Sequence, residues 1–93
     1  MKLRWLPAAI KERFEQLDYI AIDNLLAAVH QDEEITKHTD LLSMQPEMGR
    51  EWRVKGTREL VISNNPFIAV YRITSNGIEI LRFLHGAQKW PRR

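Results

Sequence analysis

The 93-residue sequence contains no cysteine, which excludes a disulfide, a thiolate metal site and a cysteine nucleophile. Its three histidines, His30, His38 and His85, lie too far apart for a compact metal-ligand motif, so we expect neither a metal nor another cofactor. No apolar run approaches the roughly 18 residues of a membrane-spanning helix, and the N-terminus lacks the apolar core of a secretory signal. These absences predict a cytoplasmic protein that does not associate with a membrane.

The length and composition predict one folded domain spanning residues 1–93. Chains of this size bury about 60–65% of their unfolded surface and cannot support two cores. Hydrophobic residues make up 44% and charged residues 28% of the sequence, which is ordinary globular composition rather than that of a disordered chain. The formal net charge is +2, but the two halves differ in sign. Residues 1–46 contain five Lys/Arg and eight Asp/Glu, whereas residues 47–93 contain nine and four, so the C-terminal half is where we expect an anionic partner.

The N-terminal half has the pattern of a short strand followed by two helices. Alternation over residues 2–6 predicts a strand, and Pro7 fits the first turn of a helix over residues 8–20. Asp23 is the predicted cap of a second helix, which ends before Pro46 and Gly49. The apolar residues expected to face the core are Ile10, Phe14 and Leu17 in the first helix and Leu25, Ala28, Val29, Ile35 and Leu42 in the second.

Beyond residue 49 the hydrophobic period shortens to about two, which predicts strands over residues 52–54, 58–63, 67–74 and 78–84. The turns between them are expected at Gly56, at residues 64–66 and at Asn76-Gly77, the last as a hairpin turn. The predicted fold class is therefore α+β: a short N-terminal strand and a two-helix hairpin packed on a small antiparallel sheet. The helices would cover one face of the sheet and leave the other partly open for binding.

The basic residues of the C-terminal half are the candidate contact residues. Because side chains alternate along a strand, Arg72 and Arg82 are expected on the face opposite the core, together with apolar Ile68 and Val70. A planar guanidinium beside apolar neighbours suits bidentate binding of phosphate or carboxylate. The alternative for Arg58 is an ion pair with Glu59 or Glu79. The full basic set is Arg50, Arg53, Lys55, Arg58, Arg72, Arg82, Lys89, Arg92 and Arg93.

Two further residues could take part in recognition or catalysis. His85 ends the last predicted strand and titrates near neutral pH, so it could move a proton in phosphodiester cleavage, although a structural histidine is the alternative. Trp90 could stack on a base or fill a pocket of a partner, or it could pack against its own C-terminal tail.

The C-terminal half resembles the toxins of the RelE/ParE superfamily. The resemblance rests on Gly56-Thr57-Arg58-Glu59-Leu60-Val61-Ile62, on Tyr71-Arg72, and on Leu84-His85-Gly86-Ala87-Gln88-Lys89-Trp90-Pro91. The N-terminal half agrees more loosely, at Tyr19-Ile20-Ala21 and Asp23-Asn24. The resemblance implies a growth-inhibiting bacterial toxin with the same α+β fold, made together with an antitoxin that neutralises it.

The superfamily divides by target, and the resemblance bears on both branches. Arg58 corresponds to a position that RelE-like mRNA endonucleases use for phosphate contact, and His85 to the histidine that some of them use. These toxins also carry an arginine early in the strand where this chain has Ile68, and basic or aromatic residues where it has Ala87-Gln88-Lys89-Trp90. The ParE-like branch, which inhibits DNA gyrase, is therefore favoured. In that reading the target contacts are Arg50, Arg53, Lys55, Arg72, Arg82, Lys89 and Trp90.

Three functional hypotheses follow. The first is a gyrase inhibitor, and the second is a metal-independent endoribonuclease acting on mRNA in the ribosome, with Arg58 stabilising the developing phosphorane charge and His85 moving a proton. The third is a basic nucleic-acid-binding module without toxicity. For either toxin, we expect an antitoxin that is mainly acidic where it contacts the basic face.

Overall fold

The computed structural model describes residues 1–62 and 66–86, which form the predicted α+β fold. Two helices pack on a five-stranded sheet whose strand order is β1-β5-β4-β3-β2. The strands are β1 (Lys2–Trp5), β2 (Arg50–Glu51), β3 (Arg58–Val61), β4 (Phe67–Thr74) and β5 (Gly77–His85). The helices are α1 (Pro7–Asp23) and α2 (Leu25–Asp40), followed by a short 3-10 helix, Leu41–Ser43.

The sheet is mixed rather than wholly antiparallel. Strands β2 to β5 pair antiparallel, but β1 pairs parallel with β5, from Lys2 opposite Gly77 to Trp5 opposite Ile80. The alternation that predicts β1 carries no information about the direction of its partner. Gly77 allows this pairing, because its φ is +143° and a Cβ there would clash with the backbone carbonyl oxygen of Lys2.

The helices form a tight hairpin around Asn24. Asn24, not the predicted Asp23, caps α2, because its side-chain Oδ1 accepts a hydrogen bond from the backbone N–H of Ala27 at 3.0 Å. The backbone N–H of Asn24 donates to the carbonyl of Ile20, so one residue ends α1 and begins α2. Arg13 joins the helices further along, donating to the carboxylate of Asp32 at 2.6 Å and to the hydroxyl of Thr36 at 2.8 Å.

The predicted apolar faces of the helices are only partly correct. Leu17, Ala28, Ile35 and Leu42 are buried, but Ile10, Phe14, Leu25 and Val29 are exposed. On α1, the small side chain of Ala9 is fully buried in the core instead of the larger Ile10 beside it. The exposed apolar positions leave the outer side of the hairpin uncovered.

The strands differ from the predictions at their ends and at one bulge. Residues 52–54 are not a strand but part of the loop between β2 and β3, and the loop between β4 and β5 is Ser75-Asn76, because Thr74 already pairs with Gly77. A bulge opposite Val70 and Tyr71 shifts the alternation of β5, so that Ile78, Ile80 and Phe83 all reach the core. The turn predicted at residues 64–66 and the end of the strand at residue 63 lie largely outside the described residues.

Candidate target-contact surface

The register of the sheet divides the predicted basic residues between its two faces. Arg50 pairs with Glu59, Glu59 with Val70, and Val70 with Arg82, and residues directly opposite each other point to the same face. Arg72 lies two residues from Val70 along β4 and is on this face as well. Arg58 pairs with Tyr71, which is fully buried in the core between the sheet and the helices. Arg58 is therefore on the helix-facing side, apart from the other strand arginines.

The three arginines of the open face are all bonded to carboxylates. Arg50 bonds Glu59 at 2.5 Å, Arg72 bonds Glu79 at 2.7 Å, and Arg82 bonds Glu12 of α1 through two nitrogens. Glu79 also accepts a bond from Arg4 at 3.0 Å. These glutamates cancel much of the positive charge that the sequence placed on this face.

Glu12 is not among the residues predicted from the sequence, yet its carboxylate satisfies a backbone N–H at the edge of the sheet. Strand β1 ends at Trp5, opposite Ile80, so the N–H of Phe83 further along β5 has no neighbouring strand on that side. The Oε1 of Glu12 accepts from this N–H at 2.9 Å and also from Arg82. The hydrogen bond with Glu12 raises the pKa of the Arg82 guanidinium above its ordinary value, which burial alone would lower. No local pattern links positions 12 and 82, which are 70 residues apart.

Arg58 holds the segment before β2 in place rather than pairing with an acid. Its Nη1 donates to the carbonyl of Gly49 at 2.7 Å, and the alternative considered from the sequence, an ion pair with Glu59 or Glu79, is not formed. Beside it, the hydroxyl of Tyr71 donates to the carbonyl of Pro46 at 2.7 Å and accepts from the N–H of Gly49 at 2.9 Å. Burial raises the pKa of Tyr71, while the bond from Gly49 and the positive charge of Arg58 oppose that rise.

His85 lies at the other end of the sheet from Arg58. It pairs with Phe67 across β4, and the two rings meet edge to face with centroids 6.0 Å apart. His85 lies opposite Phe67, and Arg58 lies opposite Tyr71, four residues further along β4. Because β5 and β3 are also separated by two strand spacings, the backbones of His85 and Arg58 are about 16 Å apart. The two candidate catalytic residues therefore do not converge.

The loop between β2 and β3 carries two cations that are not bonded to carboxylates. Within residues 1–62 and 66–86, Arg53 and Lys55 form no ion pair with an Asp or Glu. The guanidinium of Arg53 lies over the ring of Trp52 at 5.9 Å. Beside this loop is a cleft of about 410 Å³, lined by Glu51, Trp52, Lys55, Gly56, Thr57, Arg58 and Ile73. Lys89 and Trp90, the other predicted contacts, lie outside the described residues.

Within residues 1–62 and 66–86, no group of three or more His, Asp or Glu side chains is arranged to hold a metal ion. None of the helices in these residues has the length and apolar character needed to cross a membrane.

Comparison with known proteins identifies the family. Residues 3–90 match the model of the ParE toxin of the type II toxin–antitoxin system parDE. A protein of Sinorhizobium fredii (strain NBRC 101917 / NGR234), Y4kP, named as a candidate toxin, is 39% identical over 90 residues, covering 97% of this chain and 93% of its own. The solved structure of the chromosomal ParDE toxin–antitoxin system from P. aeruginosa superposes with a TM-score of 0.83 at 25% identity, over 91% of this chain and 95% of the matched one. The chain therefore belongs to the ParE family of type II toxins, as the sequence resemblance predicted.

Proposed function

We propose that this protein is a cytoplasmic toxin that arrests growth by inhibiting DNA gyrase and that a cognate antitoxin neutralises it. Membership of the ParE family supports the toxin class and implies an antitoxin partner. The observation that favours gyrase inhibition over RNA cleavage is the separation of Arg58 from His85.

Cleavage of a phosphodiester requires its catalytic groups to meet at one phosphate. A general acid or base must come within hydrogen-bond reach of the reacting oxygen, and a cation must contact the developing charge. The backbones of His85 and Arg58 are about 16 Å apart on β5 and β3, and the Arg58 guanidinium is bonded to the carbonyl of Gly49. Arg72 and Arg82 are bonded to Glu79 and Glu12. These contacts support a toxin that acts by binding.

The experiment is induction of the toxin in cells that lack the antitoxin, with pulse labelling of DNA and protein during the first minutes. We expect DNA synthesis to fall first and purified toxin to inhibit supercoiling by gyrase. His85→Gln is the matched variant: it should leave gyrase inhibition within about twofold, because the histidine moves no proton in this mechanism. An early fall in protein synthesis that His85→Gln abolishes would instead establish the RelE-like endonuclease.

A further inference from the structure

The cleft beside the loop between β2 and β3 combines cations with apolar side chains. We call it the loop cleft; it has a volume of about 410 Å³, and its lining residues include Trp52, Lys55, Arg58 and Ile73. All of its lining residues belong to β2, β3, β4 or the loop, so it lies beyond the cover of the helices. Ile73 shows the same, because it follows the buried Tyr71 by two residues in β4 yet is 38% exposed. A cleft of this volume is large enough to enclose one planar group of a ligand.

Arg58 is held at the loop cleft with its charge uncancelled. Its Nη1 donates to the carbonyl of Gly49 at 2.7 Å and lies 3.5 Å from the carbonyl oxygen of Glu47. Both of these acceptors are neutral, and within residues 1–62 and 66–86 no carboxylate is bonded to Arg58. A guanidinium has five N–H donors, so donors remain for a ligand. The carbonyls therefore orient this cation without neutralising it.

The loop itself is closed by its own hydrogen bonds. The carbonyl of Val54 accepts from both the N–H and the hydroxyl of Thr57, and the N–H of Trp52 donates to the carbonyl of Thr57 at 3.0 Å. Gly56 has a φ of +82°, as the third residue of a type II turn requires, and Lys55 precedes it at the tip. Because these bonds form without a ligand, little ordering of the loop is needed when one binds.

The side chains around the loop cleft favour a nucleic-acid strand over an acidic peptide. Lys55 and Arg58 line the cleft, and the guanidinium of Arg53 lies 5.9 Å from the centre of the Trp52 ring. Glu51 is the one acid among the lining residues. A nucleic-acid strand has a planar base beside each phosphate, and proteins bind single strands with aromatic rings next to cations. A carboxylate of a peptide has no obligatory planar neighbour and would use the cations without the indole.

We propose that the loop cleft binds one phosphodiester group of a single nucleic-acid strand together with the base beside it. Lys55 and Arg58 contact the phosphate, and Trp52 and Ile73 contact the base. This inference rests on the proposed function for its setting, in which the strand is DNA held by gyrase. The strand is bound and not cut, because the backbone of His85 lies about 16 Å from that of Arg58.

The test measures binding of a fluorescently labelled oligothymidylate of about 10 nucleotides to purified toxin by anisotropy at low salt. Trp52→Leu should weaken binding by about tenfold, because the base loses its stacking partner, whereas Trp52→Phe keeps a ring and should bind within about threefold of wild type. Lys55→Gln should weaken binding by about threefold. It should also lower the slope of log Kd against log salt concentration by about 0.7, the value for one lost phosphate contact on a single strand.

Matched controls separate the loop cleft from a general effect of rings or charge. Tyr19→Leu removes a ring that is 74% exposed on α1, and Lys37→Gln removes a cation from α2. Both should bind the oligonucleotide within about twofold of wild type. Circular dichroism and thermal unfolding would verify that all variants fold. Failure of the wild-type toxin to bind the oligonucleotide would overturn the proposal, as would wild-type affinity in both Trp52→Leu and Lys55→Gln.

Two competitors test the class of ligand. Polyglutamate should displace the labelled strand much less effectively than unlabelled oligothymidylate, and equal displacement would assign the loop cleft to an acidic protein segment instead. Oligouridylate should bind within about threefold of the DNA strand, because the proposed contacts are to a base and a phosphate, which RNA also has. A preference for RNA above about tenfold would overturn DNA as the ligand.

A supercoiling assay with the same variants keeps this inference distinct from the proposed function. If the wild-type toxin binds the oligonucleotide through the loop cleft but does not inhibit gyrase, the proposed function fails and the loop cleft stands. If Trp52→Leu inhibits gyrase as well as wild type and the wild-type toxin binds no oligonucleotide, the loop cleft fails and the proposed function stands.

Discussion

Tyr71 joins the central strand of the sheet to the segment that precedes β2 through one hydroxyl. That hydroxyl is both a donor to Pro46 and an acceptor from Gly49, in a fully buried position. Gly49 is required beside it, because a Cβ there would stand 2.6 Å from the hydroxyl and from the carbonyl of Glu59. The tyrosine thus fixes where β2 begins, and with it the loop that carries Arg53 and Lys55.

Tyr71→Phe should lower the free energy of unfolding by about 2 kcal/mol, because it leaves the buried N–H of Gly49 without its acceptor. Urea unfolding at pH 8 measures this difference. Tyr19→Phe, which removes a hydroxyl from a residue that is 74% exposed, is the control and should change stability by less than about 0.5 kcal/mol. An equal effect of the two substitutions would show that the network of Tyr71 contributes no stability.

The raised pKa of Tyr71 predicts a dependence on alkaline pH. The unfolded chain releases the phenolic proton near pH 10, while the folded chain retains it to higher pH, so above that value the unfolded state binds fewer protons. Stability from this group is therefore present below pH 10 and is lost as pH rises toward the folded pKa. Unfolding measured between pH 8 and 11 should show a shallower decline for Tyr71→Phe than for wild type, and parallel curves would contradict the assignment.

At the scale of elements, the carboxylate of Glu12 supplies the hydrogen-bond acceptor that the end of β5 would otherwise find in a longer β1. It satisfies the N–H of Phe83 and the guanidinium of Arg82, and both side chains of the ion pair are less than one-third exposed. Removing it leaves a partly buried cation and a strand N–H unpaired. The ion pair connects α1 to the sheet between residues 70 positions apart in the sequence. Among the ion pairs of residues 1–62 and 66–86, only that between Arg4 and Glu79 spans a longer separation.

Glu12→Ala should therefore destabilise the fold by about 2–3 kcal/mol, whereas Glu12→Gln, which retains an acceptor for Phe83, should cost about half as much. Thermal or urea unfolding reports both values. Glu15→Ala on the exposed side of the same helix is the matched control and should be nearly neutral. A double-mutant cycle with Arg82→Met should show coupling above about 1 kcal/mol, and additive effects would mean that the pair does not act together.

The sequence was most informative where one local rule decided the structure. Residues 67–74 form β4 as predicted, because alternation and β-branched residues both favour a strand. The exposed Ile10 and Phe14 were misplaced because periodicity cannot tell which of two apolar stripes a helix buries. The contacts of Glu12 and Arg82, and those of Tyr71 with Pro46 and Gly49, depend on tertiary approach and leave no local signature.

At the scale of the whole molecule, charge separates two surfaces. Residues 7–40 have a net charge of −5, and the rest of the sequence therefore carries +7. On the sheet, Arg50, Arg72 and Arg82 are bonded to glutamates, which leaves Arg53 and Lys55 as the loop cations without carboxylate partners in the described segments. Under the proposed function, Arg53 and Lys55 of this loop are the target contacts that we propose.

The proposed contact at this loop predicts that its two cations contribute to toxicity. Arg53→Gln combined with Lys55→Gln should weaken inhibition of gyrase by about tenfold, since two contacts worth about 0.7 kcal/mol each are lost. Lys11→Gln combined with Lys37→Gln removes the same charge from the helices and should leave gyrase inhibition unchanged. The inhibitory concentration in a supercoiling assay would be measured for both pairs. A localised contact depends on where the cations lie, whereas attraction by the overall charge of the protein does not. Equal weakening of inhibition by the loop variant and the helix variant would therefore mean that net charge, not a contact at this loop, controls binding to gyrase.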